Sequence, residues 1–465
     1  MASGHCAAIV PEIFFQDESG LSALTRKDPP RQYHDQVYAA AAACPGGAIT
    51  VEEEDGDQRH GADLESSRRN PSGVAAMNID FFSRKIAADP YPILEEVRSH
   101  GPIVWNENTR SWMVTNDVLC RKIMINFSKF TMAGTLGEDL FGLEAFICMD
   151  DKKRHDKLRG VWAAAFQRSA LEPLRGVILK CAEGLLAPLE ERIRDGETVE
   201  IYRTFCRDLP AYIIAEMLGV PPRMRKSIVE WSDAMAEEVS AYGDQTARVA
   251  SENAKADFAL YLEELIQERR RAPADDLVSR IVVSEVAKTM ADSEIMQNVR
   301  QLLFAGNETT ARWLSSIIVT MARYPDARRN VIRDPTLLPV AIEEVMRWDP
   351  TVQADARMTR GEPIELGGVE LSEGHHLHLM FGAANRDPAK YENPGVFDIH
   401  REQKGHLGFG FGLHNCLGVT LARLEAAVTI GHLLDRLPNY ELAGEVDYGD
   451  SFIVRGPQIV PIALG

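Results

Sequence analysis

Apolar positions recur with the period of an α-helix in long blocks, notably Leu171 to Ile193 and Ala254 to Arg271. The longest block opens at Asp292 or Ser293, either of which can cap a helix, and runs to about Arg323, ahead of Pro325. Ile295, Val299, Leu302, Leu303, Trp313, Leu314 and Ile317 keep its period and predict burial over roughly 45 Å, at 1.5 Å per residue. Further helices are predicted from the proline-defined start at Asp89-Pro-Tyr-Pro, from Asp151, across Ala341 to Trp348, and from Leu417 to Leu434. Pro102 to Trp105 and Ser111 to Thr115 read as the two strands of a short hairpin.

Two stretches break these patterns. In the middle of the longest helix, Ala305-Gly-Asn-Glu-Thr-Thr310 sets a glycine and four polar residues on a face that should be dry. A mid-helix glycine costs about 1 kcal/mol, so the break asks for a purpose. An acid followed by an alcohol can open the helical ladder, hold a water and pass protons. Taken alone, the same residues also suit a structural role, with Thr309 bonding back to a carbonyl and Glu308 meeting an arginine.

The second stretch, His406-Leu-Gly-Phe-Gly-Phe-Gly-Leu-His-Asn-Cys-Leu-Gly418, surrounds one cysteine with Gly408, Gly410 and Gly412. Glycines let a chain run close against a flat group, and a cysteine just ahead of a helix has its thiolate favoured by the dipole. The pattern reads as an iron-ligand loop. A buried apolar cysteine would have no use for the glycines, and a zinc site needs about four ligands, which His406, His414 and Cys416 do not supply.

Phe409 to Gly418 resembles the haem-binding signature Phe-Gly-x-Gly-x-His/Arg-x-Cys-x-Gly of the haem-thiolate monooxygenases, the cytochrome P-450 superfamily, at every fixed position. Residues 305–310 resemble that family's oxygen-activation motif, and Glu344 with Arg347 its Glu-x-x-Arg pair, with Asn385 to Pro388 and Arg401 downstream. The resemblance spans about residues 77–465. It implies a mainly α fold with a smaller β region, haem b with Cys416 as axial ligand, and Glu308 and Thr309 as the catalytic acid and alcohol. Ala305, Phe409 and Gly410 would lie against the cofactor, and His155, Arg159, Arg357 and His414 would take its propionates. Past the cofactor's edge, Asp349 to Arg357 would run extended, with Val352 and Gln353 toward the substrate.

The implied activity is insertion of one oxygen atom of dioxygen into a small hydrophobic organic substrate, with electrons from a ferredoxin and its reductase. A peroxide-driven enzyme and a non-catalytic haem sensor are the alternatives, and the intact acid–alcohol pair argues against both.

Composition narrows the setting. Acids outnumber bases 69 to 51, net −18, which argues against nucleic acid as a partner. Without a membrane-length apolar run or a leader pattern, a cytoplasmic protein with no membrane partner is expected. Seven cysteines do not make a disulfide framework in a chain this long.

Residues 1–53 differ in character. Cys6-Ala-Ala-Ile-Val-Pro, Tyr38-Ala-Ala-Ala-Ala-Ala-Cys44-Pro45 and the following Gly-Gly-Ala-Ile-Thr-Val51 resemble a small α+β single-cluster bacterial ferredoxin of the three-cysteine type. Its first ligand would fall just before Met1, which leaves Cys6 and Cys44 as iron–sulfur ligands. Two readings stand: a module that holds a three-iron or four-iron cluster once the missing cysteine is supplied, and a cap without one. Residues 54–76, acidic and polar, read as a linker.

Overall fold

The computed structural model describes residues 74–240 and 244–465, together with the backbone of 14–16 and 22–24. The chain divides into two units, Met1–Ser66 and Ser67–Gly465. In the first, β1 (Phe14–Gln16) and β2 (Ser22–Leu24) pair antiparallel. Cys6 and Cys44, and with them the ferredoxin-like reading, lie outside the described residues.

The second unit is mainly helical. Its strands are β3 (Ala76–Met77), β4 (Ile103–Asn106), β5 (Ser111–Val114), β6 (Phe130–Thr131), β7 (Val199–Glu200), β8 (Asp355–Thr359), β9 (Ile364–Leu366), β10 (Val369–Leu371), β11 (His376–Leu379), β12 (Tyr440–Leu442) and β13 (Pro461–Leu464). The main sheet has the order β3-β4-β5-β11-β8-β6, and a smaller one the order β12-β13-β7. The expected hairpin is β4 and β5, paired antiparallel with Trp105 opposite Trp112.

The helices include α1 (Tyr91–His100), α2 (Asp117–Ile125), α3 (Leu136–Phe141), α4 (Lys152–Ala163), α5 (Leu174–Arg194) and α6 (Asp208–Leu218). They continue with α7 (Arg225–Ser240), α8 (Gln245–Arg271), α9 (Asp292–Arg323), α10 (Leu338–Trp348) and α11 (Val419–Arg436).

Around α9 the helices close one apolar core, in which Ile295, Val299, Leu303, Trp313, Leu314 and Ile317 are all fully buried. Burial of this whole stripe, rather than propensity, is what fixes a helix that carries a glycine and several polar residues. Its start differs from expectation. Ala291 is the cap residue, its N–H donates to Glu294 Oε2 at 2.7 Å, and Asp292 turns instead to the guanidinium of Arg270. A second difference lies at 305–310, where the helix continues without a break. The polar run is accommodated by side-chain bonding and not by opening the ladder.

Candidate functional site

The cysteine loop is built from glycines and clamped from three sides. Gly410 and Gly412 have φ of 68° and 72°, in the left-handed region. A Cβ on Gly412 would lie 2.9 Å from the carbonyl of Met124 in α2, and one on Gly408 would lie 2.5 Å from Met346 in α10. The chain folds back so that Cys416 N donates to Phe409 O at 2.9 Å, and the Phe409 ring meets Trp313 of α9 at 5.5 Å between centroids.

Beneath the loop, Glu344 and Arg347 of α10 form the expected pair, fully buried, with Nε–Oε2 at 2.7 Å and Nη2–Oε1 at 2.6 Å. Arg401 Nε adds a third contact to Glu344 at 3.1 Å, and Arg347 also donates to the carbonyl of Asn385. Asn385 Oδ1 then accepts from Leu407 N at 2.6 Å, which ties the ion pair to the cysteine loop. A buried pair of this kind costs about 3–5 kcal/mol when one partner is removed.

A second clamp was not expected from the sequence. Glu343 takes Arg423 Nε and Nη2, both at 2.7 Å, and His406 Nε2 at 3.2 Å. Against the opposing effect of burial, those bonds hold the Glu343 carboxyl down to about 2. The Arg423 guanidinium lies 5.1 Å over the Phe409 ring and near the Cys416 thiol. Only the recurrence of an acid next to Glu344 hinted at this, since its partners lie far along the chain.

His155 and Arg159, one turn apart on α4, come to the same place as His414. The two histidine rings meet edge to face at 5.1 Å. His155 Nε2 and His414 Nδ1 are buried without a partner, and Arg159 has no hydrogen bond or ion pair among the described residues. Arg357 is close enough to act on His414, while its Nη1 bonds Asp355 Oδ2 at 2.8 Å. Burial, then the neighbouring Arg357, His155 and Arg159, push His414 down to about 3. Burial pushes the Cys416 thiol up, opposed by the Gly418 N–H and by Arg159 and Arg423.

The orphaned ring nitrogens of His155 and His414 and the unpaired Arg159, beside a half-buried thiol, fit an anionic cofactor that carries carboxylates and a thiolate-seeking metal. Among the described residues no group of three or more His, Cys, Asp or Glu is placed to hold a bare metal ion, so one protein ligand with a macrocycle suits the donor set better.

On α9, Ala305 and Thr309 are half-buried in a helix that is otherwise closed on most sides. Thr309 Oγ1 donates to Ala305 O at 2.8 Å, and buried Glu308 is ion-paired with Arg312. Both structural bonds that the sequence allowed are therefore present. Beyond Glu308 lies a polar cleft of about 440 Å³, lined by Arg203, Arg207, Asp233, Arg312, Asp447 and Gln458 among others. Burial, with Glu308 adding to it, raises the Asp233 carboxyl to about 6 although Arg207 opposes this.

One expected site residue lies elsewhere. Gln353 is fully buried and its Nε2 donates to Tyr91 Oη at 3.1 Å and Pro350 O at 2.9 Å, so it faces α1 and not a substrate. Only a glycine fits opposite: a Cβ on Gly382 would overlap the Gln353 amide. Val352 bridges Val454 from a half-buried position.

Comparison with known proteins agrees with this geometry. The chain is 30% identical to cytochrome P450 monooxygenase PikC of Streptomyces venezuelae over 411 residues, 85% of this chain and 97% of that one. It is 31% identical to the biotin biosynthesis cytochrome P450 of Bacillus subtilis over 311 residues, covering 67% and 78%. Among solved structures it resembles P450BioI in complex with hexadec-9Z-enoic acid ligated acyl carrier protein, with TM-score 0.75, 28% identity and coverage of 82% and 100%. CYP109E1 from Bacillus megaterium in complex with corticosterone gives 0.73, 29%, 82% and 99%. The sequence model of the cytochrome P450 family matches residues 100–442. With the glycine-built cysteine loop, its buried Glu–Arg support and this match over most of the length, the chain belongs to the cytochrome P450 family and is a P450-type monooxygenase.

Proposed function

We propose that this P450 inserts one oxygen atom of dioxygen into a small, largely apolar organic molecule, with electrons from a ferredoxin-type donor. The family implies haem, which when bound supplies the oxygen-activating chemistry. Cys416 is proposed as its axial ligand, and His155, Arg159, His414 and Arg357 as the partners of its carboxylates, with Phe409 and Gly410 against its face.

What carries the reading is the acid–alcohol pair on α9 set between two environments. Thr309, half-buried, holds its hydroxyl proton on the Ala305 carbonyl. Glu308 has the polar cleft behind it, with Asp233 and Asp447 as further acids, which supports a route for protons from solvent. Arg312 holds the Glu308 carboxylate in place through a buried ion pair.

The same bonds, read as purely structural, favour a haem sensor that does not turn over. Electron consumption separates the two. The oxygen-inserting enzyme consumes reducing equivalents and yields oxygenated product, and a sensor does neither. The central test is Cys416→Ser, which is expected to abolish the long-wavelength reduced–carbon monoxide band of thiolate-bound haem. An unchanged spectrum removes the reading.

A further inference from the structure

One guanidinium near the apolar cluster between α3, α7 and α9 has no ion pair among the described residues. Arg300 stands one turn before Phe304 on α9, and the two side chains meet the same segment. Arg300 Nη2 donates to Phe141 O at 3.0 Å, and the Phe304 ring meets the Phe141 ring at 5.5 Å. Around them Met132, Leu140, Met235 and Val239 complete an apolar cluster, and Met132 in turn touches Arg357 beside His414.

The Phe141 carbonyl is the only hydrogen-bond partner Arg300 has among the described residues. Its Nε is buried without an acceptor. The nearest acid acting on it is Glu238, which is already taken by Lys255 Nζ at 2.7 Å and Ser251 Oγ at 2.6 Å. Arg328 and Arg386, which also lack an ion pair, lie over the rings of Tyr440 and Tyr91; Arg300 lies over none. Burial without a counter-charge works against the cation, yet arginine stays protonated in proteins. Arg159 shares the feature of a half-buried guanidinium without an acidic partner among the described residues, where the family places a cofactor carboxylate.

We propose that Arg300 takes the carboxylate of the substrate, so that the substrate class is an amphipathic organic acid whose apolar body lies against Phe304, Phe141 and Met132. This rests on the oxygen-inserting reading above for what happens to the substrate, but not for how it is held. A monoanion fits better than a phosphate dianion. The Nε–H has no acceptor and Nη2, on the same edge, has one N–H more than the Phe141 carbonyl takes, which suits a single carboxylate, and Glu238 nearby penalises a second negative charge.

The test uses the haem-loaded full chain and three probes of one length: dodecanoate, dodecan-1-ol and dodecyltrimethylammonium. Binding is read from the shift in haem absorption as the probe displaces water. Dodecanoate is expected to bind at least tenfold more tightly than the other two. Arg300→Gln is expected to weaken dodecanoate about tenfold and leave the alcohol within twofold, and Arg300→Lys to keep part of the preference. Equal or weaker binding of dodecanoate, no shift with it at all, or equal weakening of all probes by Arg300→Gln would overturn the assignment. The intact reduced–carbon monoxide band of each variant shows that it is folded. Because binding and product are read separately, loss of product with the Arg300 preference intact counts against oxygen insertion alone.

Discussion

Thr309 and Glu308 are held by bonds that any helix could make, and this sets what their substitution does. Thr309→Ala removes a hydroxyl whose partner among the described residues is the Ala305 carbonyl one turn back. Haem and substrate binding are expected to persist while electrons go to peroxide, and Thr309→Ser is expected to keep most of the coupling. Product per electron consumed is the measurement, and unchanged coupling in the alanine variant would remove Thr309 from the proton path. Glu308 and Arg312 behave differently because both are buried. Arg312→Met strands a buried carboxylate and is expected to cost about 3–5 kcal/mol in urea unfolding, while Glu308→Gln with Arg312→Met is expected to recover much of it. If the double variant is as unstable as the single one, the Arg312 contact to Val454 O matters more than the ion pair. At this scale the sequence was legible wherever partners lie within a turn, as for Glu344 with Arg347. It was not legible for Gln353, whose side is decided by Tyr91, 262 positions away, nor for Arg423 on Glu343, 80 positions away.

Elements were easier to read than their joints. The period of α9 and its stop before Pro325 follow from apolar spacing, but its start was misplaced because Glu294 reaches back to Ala291 N and takes over the role given to Asp292. β11 carries a feature that no period shows. His376 and His378 project from one face with ring centroids 4.6 Å apart, and His378 Nδ1 shares a 2.8 Å bond with Ser111 Oγ. Phe81 meets His378 edge to face at 5.1 Å between centroids. Burial pushes His376 down to about 4, and burial with His376 beside it pushes His378 well down too. Since the folded chain resists a proton that the unfolded chain accepts near 6.5, stability is full above that pH and falls as pH drops from 6.5 toward 4. His376 alone is expected to cost at most about 2 kcal/mol between pH 7.5 and 5, at 1.36 kcal/mol per pH unit. Urea midpoints at the two pH values check this: His376→Gln is expected to narrow the gap between them, and an unchanged gap excludes His376 as the sensitive group.

At the scale of the whole molecule the open matter is where electrons enter. A chain of net −18 nonetheless presents Lys153 and Lys157, both exposed, on α4, the helix whose other face gives His155 and Arg159. An acidic carrier is the complement of such a face, and its attraction weakens as salt rises. If residues 1–53 are that carrier, their acidic linker holds it at an effective concentration in the millimolar range, and an added ferredoxin becomes dispensable. A cluster needs its thiolates, and Cys6 and Cys44 are two. The chain that begins at Met1 is therefore expected to purify with little iron or sulfide beyond haem, and to need an added ferredoxin for turnover. One cysteine placed directly ahead of Met1 brings the set to three and is expected to yield a three-iron or four-iron cluster, with turnover driven by a reductase alone. Iron and acid-labile sulfide counted on both forms decide the matter: an extended form that still lacks sulfide makes the first unit a cap, and the electrons must then arrive by collision with a separate carrier, with a rate that falls as salt is added.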